Sequence, residues 1–420
     1  MSGIFEELQW RGLVAQTTDA EALAAALDEG RLTVYCGFDP TAPSLHFGNL
    51  VQLVVLRHLQ RAGHRVICLV GGSTGLIGDP RPTSERVLRD KDATAANVAR
   101  IKELVRPFLD FEGENAALLV DNLDWTAELT ALDFLRDIGK HFRVNQMIRK
   151  EAIAARLASQ EGISYTEFSY QLLQALDYLH LYREYGCTLQ TGGSDQWGNL
   201  TAGVDLIHRA EGAGVHAMTT PLLTDAAGAK LGKSEGNAVW LSADMYSPYA
   251  FYQYWINVED ASVIGLLKVF TTRTPEEIAE LEQAMVAAPH RRQAHRALAH
   301  DVTTLVHGAE ATAQVEAASR VLFGTDDPGV LDARTLEDAT AELPGGQLPA
   351  GAGVVDALVA TGLAASKGAA RRLIGEGGVS VNNQRISDVE AVLAPGDFLH
   401  DRVALLKRGR KNLAAVRLTP

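Results

Sequence analysis

The chain is poor in cysteine: Cys36, Cys68 and Cys187 are its only three among 420 residues. They are odd in number and far apart, and no CxxC spacing joins any two, which excludes both a disulfide framework and a zinc site built on cysteine pairs. Such thiol usage predicts a reducing compartment. Long hydrophobic runs are equally scarce. Even the richest segment, Val66 to Ile77, is broken by glycines, well short of the roughly 18 apolar residues that span a bilayer, so no membrane partner is expected. The opening MSGIFEELQW is acidic from Glu6 onward and lacks the apolar stretch of roughly 7–15 residues that marks an export signal; the expected location is the cytoplasm. Positive charge is also in deficit. A net charge of −13, taken alone, disfavours a nucleic-acid partner, because phosphate is bound by basic surface.

Set against these absences, the charge is unevenly distributed. From Thr361 onward ten Lys and Arg stand against five Asp and Glu, a balance of +5 that leaves −18 for the residues before it. A basic module on an acidic body suggests a polyanion partner. The length exceeds the ~250–300 residues at which single cores stop growing, so several domains are expected. RLTVYCGF reads as a strand ending at Asp39-Pro40, the run from Leu45 to Gly63 as a helix with leucines at 50, 53, 56 and 59, and HRVICLVGG as a second strand. Strand, helix and strand in succession predict a Rossmann-like, doubly wound parallel sheet of the α/β class over residues 1–246. CTLQTGG followed by SDQWGNLTAGVDLIHRA repeats that pattern. A helical domain is expected over 247–323, with Thr274, Pro275 and Glu277 forming a capping box. Residues 324–352, acidic and rich in Gly, Pro and Ala, read as a mobile linker, and 353–420 as a small α+β basic module.

Four constellations carry chemistry. His46-Phe47-Gly48-Asn49 opens the first helix, where unpaired N–H groups favour phosphate and His46 is placed to donate to charge developing on it; an ordinary histidine beside a cap is the alternative. Lys230, Lys233 and Ser234 lie in AGAKLGKSEG, where two cations on a glycine-rich stretch suit a triphosphate; a P-loop or a plain solvated loop are the alternatives, although a P-loop has Gly where Ala227 stands. GGSTGLIGDP follows the second strand, its glycines suggesting a ligand against the backbone and Asp79 suiting a cationic amino group; a tight turn is the alternative. Tyr170, Gln174 and Asp177 fall on one helix face, which is either wet or lines a polar pocket.

In this order and approximate spacing, YCGFDPTAPSLHFGN, GGSTGLIGDP, EFSYQLLQALDYL, LQTGGSDQWGN and KLGKS resemble bacterial tyrosyl-tRNA synthetases, over about residues 5–417. HFGN and KLGKS look like the two signature motifs of class I synthetases, and SKGAARRLIGEGGVSVNNQRI looks like their S4-like RNA-binding module. The resemblance implies that Tyr35 and Asp177 bind the phenol hydroxyl of tyrosine, that Asp79, Tyr170 and Gln174 bind its amino group, and that Gln196 lies near its carboxylate. It implies further that Cys36 and Asp195 contact the ribose of ATP, that Gly37, Asp39 and Gly48 shape the nucleotide pocket, and that Thr41, His46, Asn49, Lys230, Lys233, Ser234 and Arg86 act on the phosphates. Lys367, Arg371, Arg372, Lys407, Arg408, Arg410 and Lys411 would meet tRNA. The implied reaction forms tyrosyl-adenylate from L-tyrosine and Mg·ATP, then transfers tyrosine to the 3′ end of tRNA(Tyr). No protein-bound metal or prosthetic group is implied. A homodimer is, paired around HFRVNQMIRK.

The sequence departs from the family pattern at three places. Asn49 replaces histidine, DPRPTSER is one residue shorter and lacks a lysine, and KLGKS has Leu and Ser where a familiar variant has Phe and Thr. A tryptophanyl enzyme, an RNA-binding protein with an inactive synthetase body and a P-loop ATPase remain as rival readings.

Overall fold

A computed structural model of the chain describes residues 3–81, 84, 88–159, 162–224, 231–234, 237–409 and 412–419, the side chains of 151, 152, 233, 234 and 237 excepted. The fold divides into two compact units, Met1–Met245 with Val258–Ala294, and Tyr246–Asn257 with His295–Pro420.

The first unit is built on a six-stranded sheet of β1 (Gln16–Thr17), β2 (Thr33–Phe38), β3 (Arg65–Val70), β4 (Leu118–Asp121), β5 (Cys187–Gly193) and β6 (His216–Thr220), in the order β1-β6-β5-β2-β3-β4. Only β1 runs antiparallel to its neighbour. The expected α/β parallel sheet is therefore present. Its interior strand β3 (RVICLV) reads as a nearly continuous apolar run because both faces are covered. Helix α1 (Phe47–Arg61) is buried at eleven of its fifteen positions. On the opposite face of β2, Tyr35 packs with Ile67, Leu69, Tyr178, Leu179 and Leu206, which come from β3 and from α2 (Tyr165–Tyr185) and α3 (Trp197–Glu211). Strand alternation thus turns Tyr35 toward α2 and Cys36 toward α1. β2 lies between β5 and β3, so the chain crosses to opposite sides of it, and a crevice forms at the carboxyl ends of β2 and β5.

Beyond Met245 the chain forms helices, but they are shared between the two units and do not form one domain over 247–323. The predicted capping box is formed at α4 (Pro275–Ala287): Glu277 N–H donates to Thr274 Oγ1 at 3.3 Å and Thr274 N–H to Glu277 Oε2 at 2.8 Å. Residues 258–294 nevertheless belong with the first unit, where buried Arg11 donates to the carbonyls of Lys268, Thr271 and Arg273 and Phe47 meets Phe270 at 5.2 Å. The long α5 (Gln293–Phe323), kinked at Gly308, lies almost wholly in the second unit. Helical periodicity specifies a helix without specifying its neighbour.

The expected linker at 324–352 is not one. It contains α6 (Ala333–Thr340), and, beyond the short strands β7 (Lys233–Ser234) and β8 (Asn237–Ala238), it supplies β9 (Gly345–Leu348). β9 pairs in parallel with β13 (Asn412–Leu418), completing a five-stranded sheet with β10 (Val379–Val381), β11 (Gln384–Ile386) and β12 (Val403–Arg408) in the order β11-β10-β12-β13-β9. Leu331, Leu336 and Ala339 are buried against Val403, Leu405, Leu413 and Ala415. Acidic and glycine-rich composition described the exposed side of this segment, while three apolar side chains decided its packing. The basic α7 (Lys367–Gly375) packs on this sheet through Ala370 and Ile374. Among the described residues no helix is long and apolar enough to cross a membrane.

Candidate active site

A pocket of about 490 Å³ occupies the crevice, and Tyr35, Cys36, Gly37, Asp39, Thr41, His46, Gly48, Asn49, Asp79, Tyr170, Gln174, Asp177, Asp195 and Gln196 all line it. Its deep end is formed by Tyr35 and Asp177. Tyr35 is 1% exposed, with its ring tilted against Tyr178 at 5.2 Å. Its hydroxyl is buried and has no hydrogen-bond partner among the described residues. Burial, then the nearby Asp177, push the phenol well above its ordinary pKa. Asp177 is 2% exposed; Asn122 Nδ2 donates to its Oδ2 at 2.9 Å and Trp125 Nε1 to its Oδ1 at 3.0 Å. Burial raises this carboxyl to about 8, against the lowering effect of the two donors. A carboxylate has about four acceptor positions, so two remain for a further donor.

On α2, Tyr170 and Asp177 are buried and Gln174 is half-buried, and all three line the pocket, which favours the polar-pocket reading of that helix over the wet one. Tyr170 donates its hydroxyl to Asp39 Oδ2 at 2.8 Å, across 131 residues of sequence, and Thr74 Oγ1 donates to Asp39 Oδ1 at 2.7 Å. Gln174 Oε1 is buried without a partner among the described residues. Asp79 accepts from Gln196 Nε2 at 2.9 Å and Asn199 Nδ2 at 3.1 Å.

The glycines of GGSTGLIGDP serve a purpose other than the expected ligand contact. A Cβ on Gly71 would lie 2.3 Å from both Asp39 Oδ1 and Thr74 Oγ1, and one on Gly72 would lie 2.2 Å from Asp121 Oδ1. These glycines make room for the protein's own carboxylates, Asp39, which lines the pocket, and Asp121, which does not.

At the other end, His46 caps α1. Its Nδ1 accepts from Gly48 N–H at 3.0 Å, and Asn49 Oδ1 accepts from His46 N–H at 3.1 Å, a reciprocal capping box. A neutral imidazole whose Nδ1 accepts carries its proton on Nε2. Asn49 spends its oxygen on the cap, which leaves its amide nitrogen as the donor end. Cys36, 2% exposed, has its Sγ 3.8 Å from Gln52 Oε1, and burial raises its thiol pKa. Gln52 in turn donates to Thr220 at 2.7 Å.

The lysine-bearing loop meets this end through its backbone. Val239 N–H donates to the Gly232 carbonyl and Phe47 N–H to the Val239 carbonyl, both at 2.9 Å, while Trp240 bridges to His46. β7, which begins at Lys233, is therefore tied to the start of α1. Lys230 and Arg86 lie outside the described residues, as do Arg410 and Lys411 of the basic tail.

The tail separates into two kinds of cation. Arg371 and Arg372 are exposed on α7, and Lys367 pairs with Asp356 at 2.7 Å. Lys407, expected at an RNA surface, is 5% exposed and donates to the carbonyls of Val321 and Gly324 at 2.8 Å each. It binds the chain leaving α5 to the sheet and is unavailable to phosphate. Arg408 donates to the Leu363 carbonyl at 2.7 Å. Sequence reading also missed Asn122, Trp125 and Asn199. For Asn122 a signal existed: it follows the carboxyl end of β4, the kind of position already used to locate ligands at β2 and β5.

Comparison with known proteins bears on this geometry. Residues 27–324 match the family model described as tRNA synthetases class I (W and Y), and residues 335–416 match a tyrosine–tRNA ligase SYY-like C-terminal domain. The tyrosine–tRNA ligase of Streptomyces coelicolor is 57% identical over 420 residues, covering 100% of both chains. The chain belongs to the class I tyrosine–tRNA ligase family. Another member, from Streptomyces griseus, is 57% identical over 421 residues with the same full coverage. Among solved structures, a C-terminally truncated mitochondrial tyrosyl-tRNA synthetase of Aspergillus nidulans superposes with a TM-score of 0.70 at 30% identity, covering 77% of this chain and 95% of that one. Membership of this ligase family removes the P-loop reading and, with the matched C-terminal domain, the tryptophanyl one.

Proposed function

We propose that the pocket activates L-tyrosine with Mg·ATP and that the product tyrosine is passed to the 3′ end of tRNA(Tyr). The observation that carries this reading is the buried Tyr35 hydroxyl, without a partner among the described residues, beside the doubly supported Asp177. A phenol entering here accepts from Tyr35 and donates to Asp177; phenylalanine leaves the Tyr35 hydroxyl without a partner and adds no third donor to Asp177, a penalty on which this family's discrimination is a standard example. Asp79, Tyr170 and Gln174 take the α-amino group, with Gln196 near the carboxylate. Gly37, Asp39, Gly48, Cys36 and Asp195 form the nucleotide end.

In the first step a tyrosine carboxylate oxygen attacks the α-phosphorus in line, the bond to the β-phosphate oxygen breaks, and pyrophosphate leaves. No general base is required, because the carboxylate is already ionised. His46, held by its Nδ1 cap, presents Nε2–H to the growing phosphoryl charge, and Asn49 adds its amide N–H. Thr41, Ser234, Arg86, Lys230 and Lys233 complete the phosphate set; the tie between β7 and the start of α1 supports placing Lys233 there. Mg²⁺ enters with the triphosphate as part of the substrate. In the second step a terminal ribose hydroxyl of tRNA attacks the acyl carbon and AMP departs. Arg371 and Arg372, with Lys367, Arg408, Arg410 and Lys411, supply the tRNA contacts.

The enzyme works as a cytoplasmic homodimer in this reading. Leu132, Leu135, Val144 and Ile148 are 78%, 51%, 62% and 39% exposed, a concentration of large apolar side chains in and beside HFRVNQMIRK that favours self-association. Amino-acid-dependent exchange of labelled pyrophosphate into ATP tests the chemistry. Tyrosine is expected to drive exchange far better than tryptophan or phenylalanine, and absence of exchange with any amino acid would leave only an RNA-binding role.

A further inference from the structure

The groups that hold Asp79 are themselves held from outside the pocket. Asn199 Nδ2 has two hydrogens, and both are used: one reaches Asp79 Oδ1 at 3.1 Å and the other Gln196 Oε1 at 2.9 Å. With its oxygen so occupied, Gln196 points Nε2 at Asp79 Oδ2, 2.9 Å away. This arrangement works in one amide orientation only. Turned over, Asn199 would set its oxygen against a carboxylate oxygen and an amide oxygen, replacing two hydrogen bonds with two repulsions.

Lys150 stands where it can forbid that turn. Its Nζ donates to the Gly198 carbonyl and lies 3.5 Å from Asn199 Oδ1. In its protonated form the amine offers three donors and no acceptor, so that form tolerates only the oxygen end of the amide. A Cβ at Gly198 would lie 3.3 Å from both Lys150 Cε and Nζ, and the missing side chain gives the lysine its path. Neither Lys150 nor Asn199 lines the pocket of about 490 Å³. Lys150 instead borders a second cavity of about 190 Å³, shared with Gln171, Thr201 and Asp205. Holding an ammonium at so desolvated a place costs free energy, and burial lowers its pKa to about 7 although Asp79 and Asp205 oppose the fall.

We propose that Lys150 and Asn199 are positioning residues for the amino-acid substrate: the ammonium sets the Asn199 amide, the amide sets Gln196 and Asp79, and these present the carboxylate to the α-amino group. The inference rests on the reading of Asp79 and Gln196 as amino-acid-binding groups. It makes tyrosine affinity depend on two side chains that touch no substrate, and leaves ATP affinity indifferent to them.

The test measures KM for tyrosine and for ATP by pyrophosphate exchange on the full-length enzyme without tRNA, with thermal unfolding recorded for every variant. Asn199→Asp keeps size and sets a second carboxylate against Asp79; tyrosine KM should rise about tenfold or more with ATP KM within about twofold, the scale of one charged hydrogen bond lost. Lys150→Met should raise tyrosine KM several-fold, and Lys150→Arg should restore most of it. If Lys150→Met does not fold, Asn199→Asp and Lys150→Arg still decide the matter through the same KM split. A purely structural role would lower the melting temperature and the active fraction without separating the two KM values, and that result would overturn the proposal. Asp79→Asn is the control: if it weakens tyrosine binding while the Lys150 and Asn199 variants do not, the inference alone fails. If Asp79→Asn leaves tyrosine binding unchanged, the site reading fails and the inference with it.

Discussion

Tyr35→Phe removes one oxygen and tests the deep end of the pocket through two effects of opposite sign. The ring stays, so its packing on Tyr178 at 5.2 Å is preserved. Within the fold the hydroxyl is buried without a partner among the described residues, a burden of about 1–3 kcal/mol for a group of this kind. Deleting it should leave stability unchanged or raise it by up to that amount. In the proposed tyrosine complex the same hydroxyl would donate to the substrate phenol, a neutral hydrogen bond with a net value of about 0.5–1.5 kcal/mol, so kcat/KM for tyrosine should fall about two- to twelvefold. Phenylalanine makes no such bond, and its kcat/KM should hold or improve, which narrows discrimination by at least the factor lost for tyrosine. Pyrophosphate exchange with each amino acid, beside urea unfolding of both proteins, reads all three quantities. A variant that is less stable than the parent, or that loses tyrosine and phenylalanine activity equally, would show that the hydroxyl serves the fold and not the substrate.

Asp177→Asn should flatten part of the pH dependence of stability. The carboxyl titrates near 8 when folded against an ordinary value of 3.8, so its contribution is fully present below about pH 4 and is lost as pH rises toward 8; relative to the parent, the variant should gain on the order of 5 kcal/mol across that window in urea titrations. A constant difference from pH 5 to pH 8 would contradict this. His46→Asn keeps a cap acceptor for Gly48 N–H but loses the Nε2 donor, so kcat for activation should fall about 10²-fold with little change in melting temperature, and equal loss in both would assign His46 to the cap alone. Lys407→Met should destabilise the second unit by about 2–3 kcal/mol by stranding the Val321 and Gly324 carbonyls without altering the salt dependence of tRNA binding. Arg371→Ala should do the reverse, reducing the slope of log affinity against log salt by about 0.7–0.9. Filter binding across a salt series separates the two.

Much of the framework was legible locally. CTLQTGG is β5 residue for residue, Thr274 and Glu277 form the box their spacing announces, and Tyr170, Gln174 and Asp177 line one pocket. Caps, turns and hydrophobic periods are encoded within a few neighbouring residues, and a single chain displays them openly. Partnership is not encoded that way. Lys407 sits in a basic run, yet contacts 83 and 86 residues upstream make it a buried clamp. Segment 324–352 has a linker's composition and becomes helix and strand because Leu331, Leu336 and Ala339 find a sheet formed by residues beyond 400. Asp177 acquires its raised pKa from burial and its two donors from a turn some 50 residues earlier.

The sequence alone thus determined which short segments would form strands, helices and caps, and which side chains were candidates for the chemistry. Tertiary structure decided which of those side chains were buried, which amide faced which carboxylate, and which lysine was taken out of solvent. Those outcomes depend on desolvation and on contacts between residues far apart in the chain, and neither quantity exists until the sheet has assembled.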